Sequence, residues 1–266
     1  MSQHSDGHRA RKRFGQNFLH DQGVIQRIVG ALNTKTGDRV VEIGPGLGAL
    51  TQPLIDAAGK IDVVELDRDL VERLQQHYSS DVMTIHSGDA LKFDFRALKG
   101  EGAKLRIIGN LPYNISTPLL FHLMEQLDAI QDIHCMLQKE VVERMAAHPG
   151  DSAYGRLSIM LQYHCDVVKL FNVGPGAFNP APKVESAVAR LTPHKTKPVQ
   201  VDDEKRFAQL VSQAFSQRRK TLRNCLKTLL SAEEMEACGI DPVARPETLS
   251  LSDFARLSNV VADRAE

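Results

Sequence analysis

The chain has 266 residues, 42% of them hydrophobic, and its 33 basic and 33 acidic side chains cancel to a net charge of +0. That is enough apolar material for a buried core, but no run approaches the ~20 apolar residues of a membrane span, and the polar, basic first fifteen residues argue against a secretory leader. The four cysteines, Cys135, Cys165, Cys225 and Cys238, contain no C-x-x-C pair. This excludes a zinc ribbon or a disulfide framework, predicts no metal site, and points to reduced thiols in the cytoplasm.

The neutral average hides two basic blocks. Arg9, Arg11, Lys12 and Arg13 cluster near the start, and Lys205 to Lys227 holds seven basic residues and no acidic one. Such blocks are either solvated helix faces or a surface for a polyanion. From residue 39 the spacing predicts strands at Arg39–Ile43, Ile61–Glu65, Val82–His86, Leu105–Gly109 and Ile133–Leu137. Helices are predicted between them near Leu50–Ala58, Asp69–His77, Thr117–Gln126 and Lys139–Ala147. The strands are apolar nearly throughout, which predicts a parallel sheet covered on both faces. Thr117-Pro118 reads as an N-cap followed by proline at the first helical position. Asp166–Phe171 and Ser186–Leu191 are strand-like and flank a Gly/Pro-rich loop, so they are candidates for an antiparallel closing pair. Pro193 to Pro198 reads as a linker. Beyond it Phe207, Leu210, Val211, Ala214 and Phe215, then Leu222, Leu226 and Leu229, recur at helical spacing. The expected division is therefore an α/β domain over 1–197 and a small all-helical domain over 198–266.

Three predicted strand tips carry residues suited to an adenosyl ligand. Gly44-Pro45-Gly46-Leu47-Gly48 follows the first strand, where glycines let a ligand approach the backbone. The loop lacks the longer G-x-G-x-x-G spacing of dinucleotide enzymes. Glu65 ends the second strand, where a carboxylate accepts both hydroxyls of a ribose. Asp89 follows the third, either as an acceptor for an adenine amino group or as an N-cap.

The fourth strand runs into Asn110-Leu111-Pro112-Tyr113. The N6 amine of adenine is a weak nucleophile because its lone pair is delocalised into the ring. Two acceptors, the Asn110 side-chain oxygen and the Leu111 carbonyl, would draw it toward tetrahedral geometry and free the lone pair for in-line attack on a sulfonium methyl. Pro112 holds Leu111 extended, and Tyr113 offers a flat face to the base. Phe178, in the Gly/Pro-rich loop, is either a loop anchor or a second face opposite Tyr113. Stacking of that kind is worth ~1–3 kcal/mol per base.

With Phe14–Leu19, Tyr154–Ser158, Phe178–Ser186 and Gln217–Asn224, these motifs make the chain resemble the KsgA/RsmA-type dimethyladenosine transferases of small-subunit ribosomal RNA, from about Arg9 to near the C-terminus. The resemblance implies a Rossmann-like, seven-stranded class I methyltransferase sheet with S-adenosylmethionine as methyl donor. It also implies N6,N6-dimethylation of two adjacent adenosines in the 3′-terminal hairpin loop of that RNA, within a pre-30S-type assembly intermediate, by a monomer. Carried over by residue, Asn17, Leu19, Gly44, Gly46, Glu65, Asp89 and Asn110 would contact the cofactor, Asn110 and Leu111 the amine, and Tyr113 and Phe178 the base. Arg11, Lys12, Arg219, Arg223 and Lys227 would meet RNA phosphates, the last three from one helix face. Rival readings are the macrolide-resistance type acting on large-subunit RNA, a non-catalytic assembly factor, a nicotinamide oxidoreductase and a DNA adenine methyltransferase.

Overall fold

The structure, a computed structural model, describes residues 16–217 and 219–263. Arg11 and Lys12 lie outside the described residues. In chain order the elements are β1 (Phe18–Leu19), α1 (Gln22–Leu32), β2 (Arg39–Ile43), α2 (Thr51–Ala58), β3 (Ile61–Glu65), α3 (Arg68–His77), β4 (Met83–Ser87), α4 (Phe95–Lys99), β5 (Leu105–Asn110), α5 (Ser116–Met124), β6 (Ile130–Gln138), α6 (Lys139–Ala146), α7 (Arg156–His164), β7 (Cys165–Val173), β8 (Phe178–Asn179), β9 (Ser186–Pro193), α8 (Glu204–Ala214), α9 (Leu222–Leu226), α10 (Ala232–Ala237) and α11 (Leu251–Asp263).

Seven strands form one sheet in the order β4-β3-β2-β5-β6-β9-β7. The pairs β3–β4, β2–β3, β2–β5 and β5–β6 are parallel, and β9 joins β6 antiparallel. This is the expected class I methyltransferase sheet, with the two strands flanking the Gly/Pro-rich loop closing its far edge. The chain steps outward from β2 through β3 to β4, then returns to lay β5 on the other side of β2. The carboxyl ends of β2 and β5 therefore border the reversal point, where open α/β sheets bind ligands. Burial explains the sequence pattern: β2 is buried from Val40 to Ile43 and β5 from Leu105 to Gly109. The buried cation of β5, Arg106, donates to the Leu32 carbonyl at 2.6 Å and to Asp132 at 2.7 Å and Asp38 at 2.8 Å. It thereby satisfies the open carbonyl end of α1.

Residues up to Lys139 group with Lys169–Thr192 in one compact unit, and Glu140–Val168 group with the residues from Pro193 on in another. This differs from the single cut expected after residue 197. In the second unit α7 packs against α8 and α11, the Tyr163 hydroxyl donates to Glu204 at 2.9 Å, and the Gly150 N–H reaches the Glu247 carbonyl at 2.8 Å. The stretch 140–168 thus shares its core with the C-terminal helices.

Two local expectations are corrected. Helix α5 starts at Ser116 with Ile115 as N-cap, two residues ahead of the expected cap, Thr117. The Ile115 N–H already bonds the Pro112 carbonyl and the Ser116 hydroxyl the Tyr113 carbonyl, so the loop winds into the helix before Thr117 is reached. Pro118 is tolerated because first-turn N–H groups have no intrahelical acceptor. Arg219, Arg223 and Lys227 do not share a helix face: Arg219 lies in a turn with φ 66, Arg223 is inside the five-residue α9, and Lys227 is its C-cap. The Leu222 and Arg223 N–H groups bond the Ala244 and Pro242 carbonyls, so the helix starts afresh after Thr221.

Candidate active site

At the carboxyl ends of β2 to β5 a cavity of about 350 Å³ opens, within the size range of small-molecule sites. Gly44 and Gly46, Glu65, Asp89, Asn110 to Tyr113, and Asn17 and Leu19 all line it. Three strand tips, the tetrapeptide and an N-terminal segment distant in sequence thus meet around one space.

The glycines earn their places differently. Gly44 has φ 67, and a Cβ built on it would meet nothing within 4 Å, so its surroundings are open to a ligand. Gly46, at φ 59, would place a Cβ 3.2 Å from the Phe18 ring, so its lack of a side chain lets β1 close over the loop. A third glycine, Gly109, has no role in the sequence reading. A Cβ there would lie 2.5 Å from the Ile43 carbonyl oxygen and 2.9 Å from Leu111 Cδ2. Only glycine lets the tips of β2 and β5 come this close.

Glu65 is 7% exposed. Its carboxylate accepts from the Asp67 N–H at 2.9 Å and the Gly46 N–H at 3.4 Å. Burial raises its pKa, while these backbone donors pull the other way. Asp67, also buried, caps α3 through the Asp69 N–H and accepts from Gln16 Nε2 at 3.2 Å, tying the N-terminal segment to the tip of β3. Asp89 accepts from the Leu91 N–H at 3.0 Å, so the capping alternative is realised, on a side chain that also faces the cavity. Glu42, given no role in the sequence reading, lines the cavity too. It is buried, accepts from the Thr51 hydroxyl at 2.7 Å, and burial lifts its pKa to about 7. Its signal in the sequence is a carboxylate inside an otherwise apolar strand.

Asn110 donates through Nδ2 to the Asn17 carbonyl at 3.0 Å. A carbonyl partner identifies the nitrogen end of the amide, which leaves Oδ1 as its acceptor end. The Leu111 N–H bonds the Met136 carbonyl at 3.1 Å and carries the pairing of β5 with β6 one residue past the strand. Tyr113 is half-buried and its hydroxyl shares a 2.7 Å hydrogen bond with Ser186 Oγ. Phe178 is not brought to the cavity wall. It is 3% exposed, packed in the core, and paired across the β1–β8 ladder with Leu19. Among the described residues no cluster of three or more His, Cys, Asp and Glu side chains is arranged to hold a metal.

The open space beside Gly44 and the oriented, buried carboxylate of Glu65 fit an adenosyl group, the ribose falling to Glu65. The model of the ribosomal RNA adenine dimethylase family matches residues 7–263. The chain belongs to that family. Its methyl donor is S-adenosylmethionine and its substrate ribosomal RNA. This adenine dimethylase is 58% identical over 257 residues to "Ribosomal RNA small subunit methyltransferase A" of Pseudomonas aeruginosa, covering 96% of each chain. It is 55% identical over 258 residues to the protein of that name from a Marinomonas species, covering 97% of each. Among solved structures it resembles a dimethyladenosine transferase from Plasmodium falciparum, with a TM-score of 0.75, 27% identity, and 93% of this chain and 98% of that one covered. The 23S rRNA methyltransferase ErmE shares the fold at a TM-score of 0.72 and 23% identity, over 92% and 100% of the two chains.

Proposed function

We propose that this adenine dimethylase methylates N6 of two adjacent adenosines in the 3′-terminal hairpin loop of small-subunit ribosomal RNA, acting as a cytoplasmic monomer on an assembly intermediate of that subunit. The observation that carries the reading is Asn110. Its nitrogen is held by the Asn17 carbonyl, so its oxygen is the end available to an amine at the rim of the cofactor cavity. The names of the full-length relatives support the small subunit as target.

Bound in the cavity, S-adenosylmethionine supplies a methyl group activated by a sulfonium. Glu65 would hold the ribose hydroxyls and Asp89 the adenine end, Gly44 and Gly46 would admit the ligand to the backbone, and Asn17 and Leu19 would complete the wall. Asn110 Oδ1 and the Leu111 carbonyl accept the two N–H groups of the target amine and turn its lone pair toward the methyl. Pro112 keeps that carbonyl extended, and Tyr113 supports the base. Holding amine and methyl in line is worth up to ~7–11 kcal/mol in favourable cases. No general base is required, because the methylated ammonium is acidic enough to release its proton to water. Phe178 acts through Leu19, seating β1 on the cavity. Arg11, Lys12, Arg219, Arg223 and Lys227 are assigned to RNA phosphates, Arg219 reaching them from a turn and Arg223 and Lys227 from α9 and its C-cap.

The test is transfer of a labelled methyl group to under-methylated small subunits, followed by mapping of the modified nucleotides. Dimethylation of two neighbouring adenosines in the 3′-terminal loop is expected. Label on large-subunit RNA instead would overturn the assignment.

A further inference from the structure

We propose that Ser186 is a positioning residue for base capture: its hydroxyl fixes the ring of Tyr113 in the orientation that receives the target adenine. The inference rests on the reading of Tyr113 as the face against which that base lies.

Tyr113 belongs to the irregular segment between β5 and α5. Its main chain is held where its carbonyl accepts from the Ser116 hydroxyl at 3.1 Å, but that bond does not fix the ring, which turns about its own side-chain torsions. The second restraint comes from elsewhere in the unit. Tyr113 Oη and Ser186 Oγ are 2.7 Å apart across 73 residues of sequence. Ser186 is a rigid anchor. It is 0% exposed and opens β9, paired with Gln138 at the end of β6. The neighbouring Glu185 carbonyl accepts from the Lys139 N–H at 2.9 Å, and its carboxylate pairs with Lys139 Nζ at 2.6 Å.

The choice of residue type carries the same message. A phenylalanine would offer the same apolar face to a base, so the hydroxyl is not needed for stacking. Here that hydroxyl is turned to a buried serine instead of to water. Fixing the ring beforehand removes the entropy that base binding would otherwise cost. It also holds the base at the height set by Asn110 and Leu111, where a small displacement lowers the rate of an in-line transfer.

The experiment is a double-variant cycle on the full chain with under-methylated small subunits. Tyr113→Phe and Ser186→Ala are each expected to lower kcat about three- to tenfold, the effect of one lost hydrogen bond. The Kd for S-adenosylmethionine should hold, and so should the RNA KM, which is set by the contacts made to the rest of the RNA before the base is captured. The double variant should fall no further than the worse single one, because both remove the same contact. Additive losses, or an unchanged kcat in Ser186→Ala, overturn the inference. Tyr113→Phe reads out the same contact should Ser186→Ala fail to fold, and an unchanged kcat there overturns it as well. Tyr113→Ala separates the two levels. Undiminished transfer by that variant sinks the base-support reading itself, whereas an inactive Tyr113→Ala beside a fully active Tyr113→Phe removes only the role of Ser186.

Discussion

The side-chain nitrogen of Asn110 donates to the main-chain oxygen of Asn17 at 3.0 Å, joining residues 93 apart in sequence. The bond couples the two sides of the cavity: the N-terminal segment that walls it also sets which end of the Asn110 amide is left as the acceptor. Asn110→Ala removes the acceptor and is expected to lower methyl transfer at least ~100-fold, the scale for loss of one positioned catalytic hydrogen-bonding group. Asn110→Asp is expected to be similarly impaired, since an ionised carboxylate has no N–H for the Asn17 carbonyl. Single-turnover transfer with matched thermal melts checks both, and near-normal turnover of Asn110→Ala would refute the mechanism.

Gly109→Ala places a methyl group 2.5 Å from the Ile43 carbonyl oxygen. The backbone cannot yield there without parting β2 from β5, so we expect destabilisation of about 1–3 kcal/mol, the cost of overpacking a core. Activity should fall further than stability does, because Asn110 is the next residue. Denaturant unfolding beside transfer assays measures both. A variant as stable and as active as the parent would show that the strand tips are looser than drawn.

Glu42 provides a pH signature. Burial lifts its pKa from 4.5 to about 7, so folding takes up a proton between those values. Stability from this group is full below pH 4.5 and is lost as pH rises through 7, a change on the order of 3 kcal/mol. Gln at this position stays neutral and can still accept from the Thr51 hydroxyl. Glu42→Gln should therefore be more stable than the parent at pH 8, with the advantage vanishing near pH 5. Melting curves across that range test it, and parallel curves for the two proteins would count against the buried ionisation.

Arg219, Arg223 and Lys227 are assigned to RNA phosphates, and each such contact contributes about 0.7–0.9 to the slope of log affinity against log salt. Replacing all three by alanine should flatten that slope by roughly two units and weaken binding at low salt. Filter binding from low to moderate salt gives the number. An unchanged slope would return these residues to the role of solvated surface.

The centre of the sheet was legible because β2, β3 and β5 are buried on both faces. β2 and β3 fall at their expected bounds, and the others begin or end within a few residues of them. Gly44, Glu65 and Asp89 were legible at the strand tips, since a glycine or a carboxylate closing a strand stands out. What long-range pairing decides was not. Asn17 and Leu19 entered by family resemblance alone, because β1 is two residues long and exists only through β8. Phe178 left both alternatives open, since loop composition does not reveal that Leu19 pairs with it. Helical spacing does not reveal that Arg219 lies outside α9, because carbonyls of residues 242 and 244 receive the first amides of that helix and fix its start after Thr221. Gly109 carries no local signal, because the reason for it is the proximity of another strand.

The β1–β8 ladder also bears on when the enzyme becomes competent. Leu19 leaves the ribosome early, but its partner Phe178 emerges only after most of the chain has been translated, roughly ten seconds or more later at common elongation rates. Until then β1 has no partner strand, and the part of the cavity wall that Phe18 and Leu19 supply lacks its ladder. A protein that marks ribosomes thus completes this wall of its cavity only in the last third of its own synthesis.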